Sequence, residues 1–150
     1  MSGFLLDTNV ISELLRPKPE QKVVQWVEAT HEELIFLSVL TIGEIRKGIN
    51  LHPDGGRRAK LEAWLASEVR ARFGDRILAI DEAVAERWGL LAAKARIERN
   101  HKLPVVDGLL AATAQHHDLI LVTRNVDDVA PTGVQLFNPW GPEHQGENNH

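Results

Sequence analysis

Five short apolar runs, at residues 4–6, 34–37, 77–80, 119–122 and 134–137, alternate along this chain with stretches of helical periodicity. Runs of this length read as strands. The intervening pattern predicts helices. A short one at 10–15 is cut off near Pro17 and Pro19, because proline cannot continue a helix. A second spans 20–29, with Val23, Val24, Trp26 and Val27 near one face. The third carries Ile42, Ile45 and Ile49, with Ser38 or Thr41 as its cap. After a loop at 52–56, an amphipathic helix at 57–73 uses Leu61, Trp64, Leu65 and Val69. Asp81 caps a long helix to about residue 99, whose inner side is Trp88, Leu91, Ala92 and Ala95, and Pro104 precedes a last helix at 106–116. Trp26, Trp64 and Trp88 keep helical spacing with other apolar residues and are assigned to the core. Strands alternating with helices imply a parallel sheet covered on both faces. The expected architecture is a three-layer α/β sandwich around a central, mostly parallel sheet of four to five strands. One domain is expected at 1–140, with no internal repeat or linker, followed by a polar, disordered tail at 141–150.

Three acids interrupt these apolar elements: Asp7 after Phe4-Leu5-Leu6, Glu44 within Leu40-Thr41-Ile42-Gly43-Glu44-Ile45, and Asp107 within Pro104-Val105-Val106-Asp107-Gly108-Leu109-Leu110. A carboxylate on an apolar face is costly unless it is paired or binds a metal. In open α/β sheets ligands bind beyond the carboxyl ends of the strands, near a switch in strand order. Asp7 ends the first predicted strand, Glu44 lies one turn into the helix after the second, and Asp107 opens the helix before the fourth. All three belong to that one edge, which points to a shared cation site and to metal-assisted chemistry on a phosphate-containing substrate. Mg²⁺ takes oxygen ligands, keeps several waters and accepts one or two direct carboxylates plus substrate phosphate. Each acid also has a plainer role: Asp7 or Asp107 as a helix cap, Glu44 as partner of Arg46 or Lys47. Asn125 and Asp128 follow the fourth strand, and the sequence leaves both open as a fourth member. Thr8, Asn9 and Thr123 are expected to hold the acids in place. Arg124, or Arg46 and Lys47, are candidates for binding substrate phosphate.

The absence of cysteine excludes disulfides, thiolate metal sites and a cysteine nucleophile, and agrees with a reducing cytoplasm. No apolar run reaches about 18 residues, so no membrane span is expected, and the first residues lack the basic start of a signal peptide. The net charge of -4 argues against strong DNA binding by this chain alone. His116 and His117 end a helix, and His144 and His150 fall in the tail, so none is a strong metal candidate.

The pieces Leu6-Asp7-Thr8-Asn9-Val10-Ile11-Ser12-Glu13, Thr41-Ile42-Gly43-Glu44-Ile45-Arg46-Lys47-Gly48, Asp107-Gly108-Leu109-Leu110-Ala111-Ala112-Thr113-Ala114, Leu121-Val122-Thr123-Arg124-Asn125 and Phe137-Asn138-Pro139-Trp140 occur in this order. Together they resemble the PIN-domain family, and within it the VapC or FitB-type toxins of toxin-antitoxin pairs. The resemblance implies an endoribonuclease dependent on Mg²⁺ or Mn²⁺, with Asp7, Glu44 and Asp107 as the acidic site. It implies a homodimer, and a cognate antitoxin whose carboxyl-terminal segment lies across the active-site groove. Larger toxin-antitoxin assemblies, and DNA contact through the antitoxin, belong to the same expectation. Where many relatives carry a fourth acid, this chain has Asn125, with Asp128 three residues on. Two other classes are weaker. A haloacid-dehalogenase-type phosphatase needs a second Asp two residues after the first, and position 9 is Asn. A non-catalytic metal-binding partner in a DNA-bound repressor complex would show no turnover.

Overall fold

Leu5 and Leu6 are neighbours in sequence, yet they belong to opposite apolar clusters. Both faces of their strand are therefore buried, as expected where helices cover a sheet on two sides. The computed structural model describes residues 3–141; the remainder of the expected tail, with His144 and His150, lies outside them. Five strands form one sheet: β1 (Phe4–Leu6), β2 (Ile35–Ser38), β3 (Ile77–Leu78), β4 (Ile120–Val122) and β5 (Leu136–Phe137). Their spatial order is β3-β2-β1-β4-β5, and every pairing is parallel. The expected sheet was four to five strands and mostly parallel; the observed one has five and is parallel throughout.

One face is covered by α1 (Thr8–Leu14), α2 (Gln21–Ala29), α3 (Val39–Leu51) and a longer helical path. That path runs through α4 (Gly55–Ala63), a π-helical stretch (Trp64–Val69) and α5 (Arg70–Phe73). The other face is covered by α6 (Glu82–Arg99), α7 (Val105–His116) and α8 (Val126–Val129). Trp26 packs edge-on against Phe4 and tilted against Phe137, tying α2 to the sheet. Gly108 lets α7 approach α6, since a Cβ there would stand 2.8 Å from the Trp88 ring.

The helix starts follow from side-chain caps, which satisfy otherwise orphaned N–H groups. Ser38 Oγ accepts from Leu40 N, and Asp81 accepts from Val84 N. Gly55 and Gly56 were expected in a loop but open α4, because the Asp54 carboxylate accepts from Gly56 N and Arg57 N and pulls both glycines into the first turn. Strands β3 and β5 are shorter than their apolar runs. Each is an edge strand with a ladder on one side only, so apolar content outlasts hydrogen bonding.

Candidate active site

The sequence of the sheet places β4 beside β1, with β2 on the other flank. Between β1 and β4 the order reverses, so this is the switch point where ligand sites form. Asp7 leaves β1 there and donates its N–H to Val122 O at 2.9 Å. Its carboxylate is buried, 5% exposed, with both oxygens engaged. Oδ1 accepts from Thr8 N at 2.6 Å, capping α1, and Oδ2 accepts from Thr123 Oγ1 at 2.7 Å. Asp7 thus caps α1 and lines the pocket at once.

Thr123 is the hub of this corner. Its Oγ1 accepts from Asn125 N at 2.9 Å and from Asn9 Nδ2 at 3.3 Å. A hydroxyl has one hydrogen and two lone pairs. With both lone pairs taken by N–H donors, its hydrogen is left for Asp7. Asp7 therefore meets two donors, the environment of an ionised carboxylate. Burial nonetheless pushes its pKa up, against the Thr123 and Thr8 hydrogen bonds, and Glu44 adds like charge.

Glu44 arrives from α3. Its Oε1 accepts from Thr8 Oγ1 at 2.5 Å, and that hydroxyl lies 3.2 Å from Thr41 Oγ1. Asp107 stands in the first turn of α7 and is partly exposed. Burial, then the charges of Asp7, Asp128 and Glu44, raise its pKa to about 6. The charges that act on Asp107 are all carboxylates. Asp7, Glu44 and Asp107 all line one open pocket of about 450 Å³. Among the described residues, no three acidic or histidine side chains stand close enough to cage an ion unaided. Magnesium does not require that, because it binds through one or two carboxylates and keeps waters. Asn9 also lines the pocket, and its Oδ1 is buried without a protein partner. The donor set fits Mg²⁺ or Mn²⁺.

The other expected residues divide. Thr8, Asn9, Asn125 and Arg124 line the same pocket. Asp128 is absent from the lining yet acts on Asp107 electrostatically. Arg46 pairs with Glu62 at 2.8 Å, and neither it nor Lys47 lines the pocket. His116 and His117 stack edge to face at the far end of α7. Four lining residues were not singled out from sequence: Ser12, Glu13, Arg16 and Trp140. The signal was present, since Ser12 and Glu13 continue the Asp7 segment and Trp140 closes the last one. Helical position alone, however, does not tell an anchoring acid from a solvated one.

A parallel α/β sandwich with an acid-lined pocket at its switch point defines the class: an α/β protein whose candidate site is a cluster of carboxylates. The model of the PIN domain matches residues 4–129. The chain is 38% identical over 137 residues to Toxin FitB of Neisseria gonorrhoeae, covering 91% of this chain and 98% of that protein. It is 34% identical over 139 residues to VapC ribonuclease Y4jK of Sinorhizobium fredii, covering 93% and 99%. The crystal structure of FitAcB from Neisseria gonorrhoeae superposes with a TM-score of 0.88 at 37% identity, over 91% of this chain and 98% of that one. The chain belongs to the PIN-domain family and, within it, to the group of FitB and VapC toxins.

Proposed function

We propose that this chain is a divalent-metal-dependent endoribonuclease, the toxin of a toxin-antitoxin pair. The observation that carries the reading is the meeting of Asp7, Glu44 and Asp107, from three separate elements, on one pocket where they repel one another. Relatives named as VapC ribonucleases support the reaction class.

Asp7 and Asp107 would hold Mg²⁺ or Mn²⁺, with Glu44 direct or through water. When bound, the ion stabilises the negative charge that builds on the phosphate and makes hydroxide available near neutral pH. The protein's part is orientation. Thr123 and the Thr8 N–H fix the Asp7 carboxylate, and the Thr8 hydroxyl fixes Glu44. Asn125 lines the pocket beside Asn9, and Asp128 adds charge from α8. We assign the fourth position to Asn125, with Asp128 acting at longer range. Arg124, on the pocket wall, would take substrate phosphate. No side-chain nucleophile is needed, and the chain has no cysteine to supply one.

A ribonuclease active in its own cell requires restraint, and a cognate antitoxin covering this pocket supplies it. With a net charge of -4, operator DNA would be reached through the antitoxin rather than by this chain. A homodimer, and a larger assembly with the antitoxin, complete the reading. The experiment is incubation of purified protein with end-labelled RNA in Mg²⁺ and in EDTA, beside Asp7→Asn. Cleavage is expected only for wild type in Mg²⁺. Equal cleavage by Asp7→Asn, or cleavage unaffected by EDTA, contradicts the proposal.

A further inference from the structure

Glu13 is an acid on the pocket wall that is paired with an arginine. It is 5% exposed, and both oxygens are taken by donors. Oε2 accepts from Glu20 N at 2.9 Å, and Oε1 accepts from Arg16 Nη1 at 3.3 Å. The Trp140 indole N–H acts on the same carboxylate. Although burial pushes its pKa up, these partners hold Glu13 below the usual carboxylate range, as an ion-paired anchor.

Trp140 is a second anchor on the same wall. Trp140 is 4% exposed, and its backbone is pinned by its N–H donating to Asn138 Oδ1 at 2.9 Å. The Arg124 guanidinium lies over its ring, 5.0 Å from the centroid. Such a stack is worth most when the ring is fixed and dry. Arg124 follows Thr123, the hub that holds Asp7. Arg16 and Arg124 both line the acidic pocket. Two buried side chains therefore set two arginines there, Glu13 by pairing with Arg16 and Trp140 by stacking beneath Arg124. An arginine fork with restricted rotamers loses less entropy on binding a phosphate than a free one.

We propose that Glu13 and Trp140 are positioning residues that hold Arg16 and Arg124 as a pair of phosphate-binding side chains, gripping RNA phosphates that flank the scissile one. The proposal rests on the ribonuclease reading above. It places Glu13 outside the metal-binding set even though it shares the pocket.

The test joins RNA binding, kinetics and Mn²⁺ affinity. Fluorescence anisotropy with a labelled single-stranded RNA is recorded across a salt series for wild type, Arg124→Gln, Arg16→Gln, Glu13→Gln, Trp140→Phe and Trp140→Leu. Each arginine variant is expected to flatten the plot of log affinity against log salt by about 0.7, the value for one phosphate contact on a single strand. Glu13→Gln and Trp140→Leu should weaken binding and raise KM several-fold with kcat nearly held, although both arginines remain. Trp140→Phe, which keeps a ring face, should recover most of the loss. Mn²⁺ affinity of Glu13→Gln should equal wild type. An unchanged salt slope in Arg124→Gln and Arg16→Gln overturns the proposal. So does a loss of Mn²⁺ affinity in Glu13→Gln, which would make Glu13 a metal ligand. The exposed Arg124 variant keeps the test valid if Trp140→Leu does not fold. Failure of wild type to bind or cut RNA removes the ribonuclease reading itself, and the proposal with it.

Discussion

Replacing Asp107 by Asn separates what the acidic site costs from what it does. Asp107 has its pKa raised from 3.8 to about 6 by burial and by the charges of Asp7, Asp128 and Glu44. It binds its proton more tightly in the folded chain than in the unfolded one. Its contribution therefore favours the fold at pH below 3.8 and is lost as pH rises through about 6. A shift of about two units corresponds to roughly 3 kcal/mol. Asp107 is partly exposed, and solvent screening reduces that to about 1 kcal/mol. Metal-free Asp107→Asn should thus be more stable than wild type at neutral pH, by roughly 2–4 °C in Tm at this chain length. At mildly acid pH the advantage should shrink, because wild-type Asp107 is then protonated. Saturating Mg²⁺ should reverse the order, since a ligand bound only by the folded state stabilises by mass action and the variant has lost a ligand group. The assay is thermal unfolding in EDTA and in Mg²⁺ at both pH values. A variant less stable than wild type in EDTA at neutral pH, with no change in its Mg²⁺ response, would refute the reasoning.

Three further outcomes follow from the geometry. Thr123→Val removes the donor to Asp7 and the acceptor of Asn125 N, so cleavage should fall at least tenfold and stability by about 1–2 kcal/mol, read by kinetics and denaturant melts. Glu44→Gln alters an exposed side chain held by Thr8 alone, so cleavage should drop by orders of magnitude while Tm moves by no more than about 2 °C. Gly108→Ala forces a Cβ to within 2.8 Å of Trp88, and a loss of about 1–3 kcal/mol in a urea melt is expected.

The acidic corner was legible because its acids sit against apolar residues. Asp7 ends the Phe4-Leu5-Leu6 run, and Asp107 interrupts Val105-Val106 and Leu109-Leu110, so each stood out as a charge whose burial needs a reason. Strand order was not in the sequence, and without it the hydrogen bond from Thr123 to Asp7, across 116 positions, could only be expected in kind. Element ends were blurred by apolar content that continues past the ladder, as at Ala79-Ile80 beyond β3 and Val134 before β5. The loop expected at 52–56 spans only 52–54, because Gly55-Gly56 reads as a break until the Asp54 cap is seen. Glu13, Arg16 and Trp140 were given no role from sequence for a related reason. A lone acid on a short helix has the same spacing whether it is solvated or buried, and only the fold shows Glu13 buried.

The central claim is that Asp7, Glu44 and Asp107 share one divalent-cation site. Mn²⁺ titration followed by electron paramagnetic resonance, on wild type, Asp7→Asn and Asp107→Asn, addresses it directly. Saturable Mn²⁺ binding by wild type, displaced by Mg²⁺ and lost in both variants whose far-ultraviolet circular dichroism stays native, is the predicted result. Undiminished Mn²⁺ binding by both variants would contradict the account.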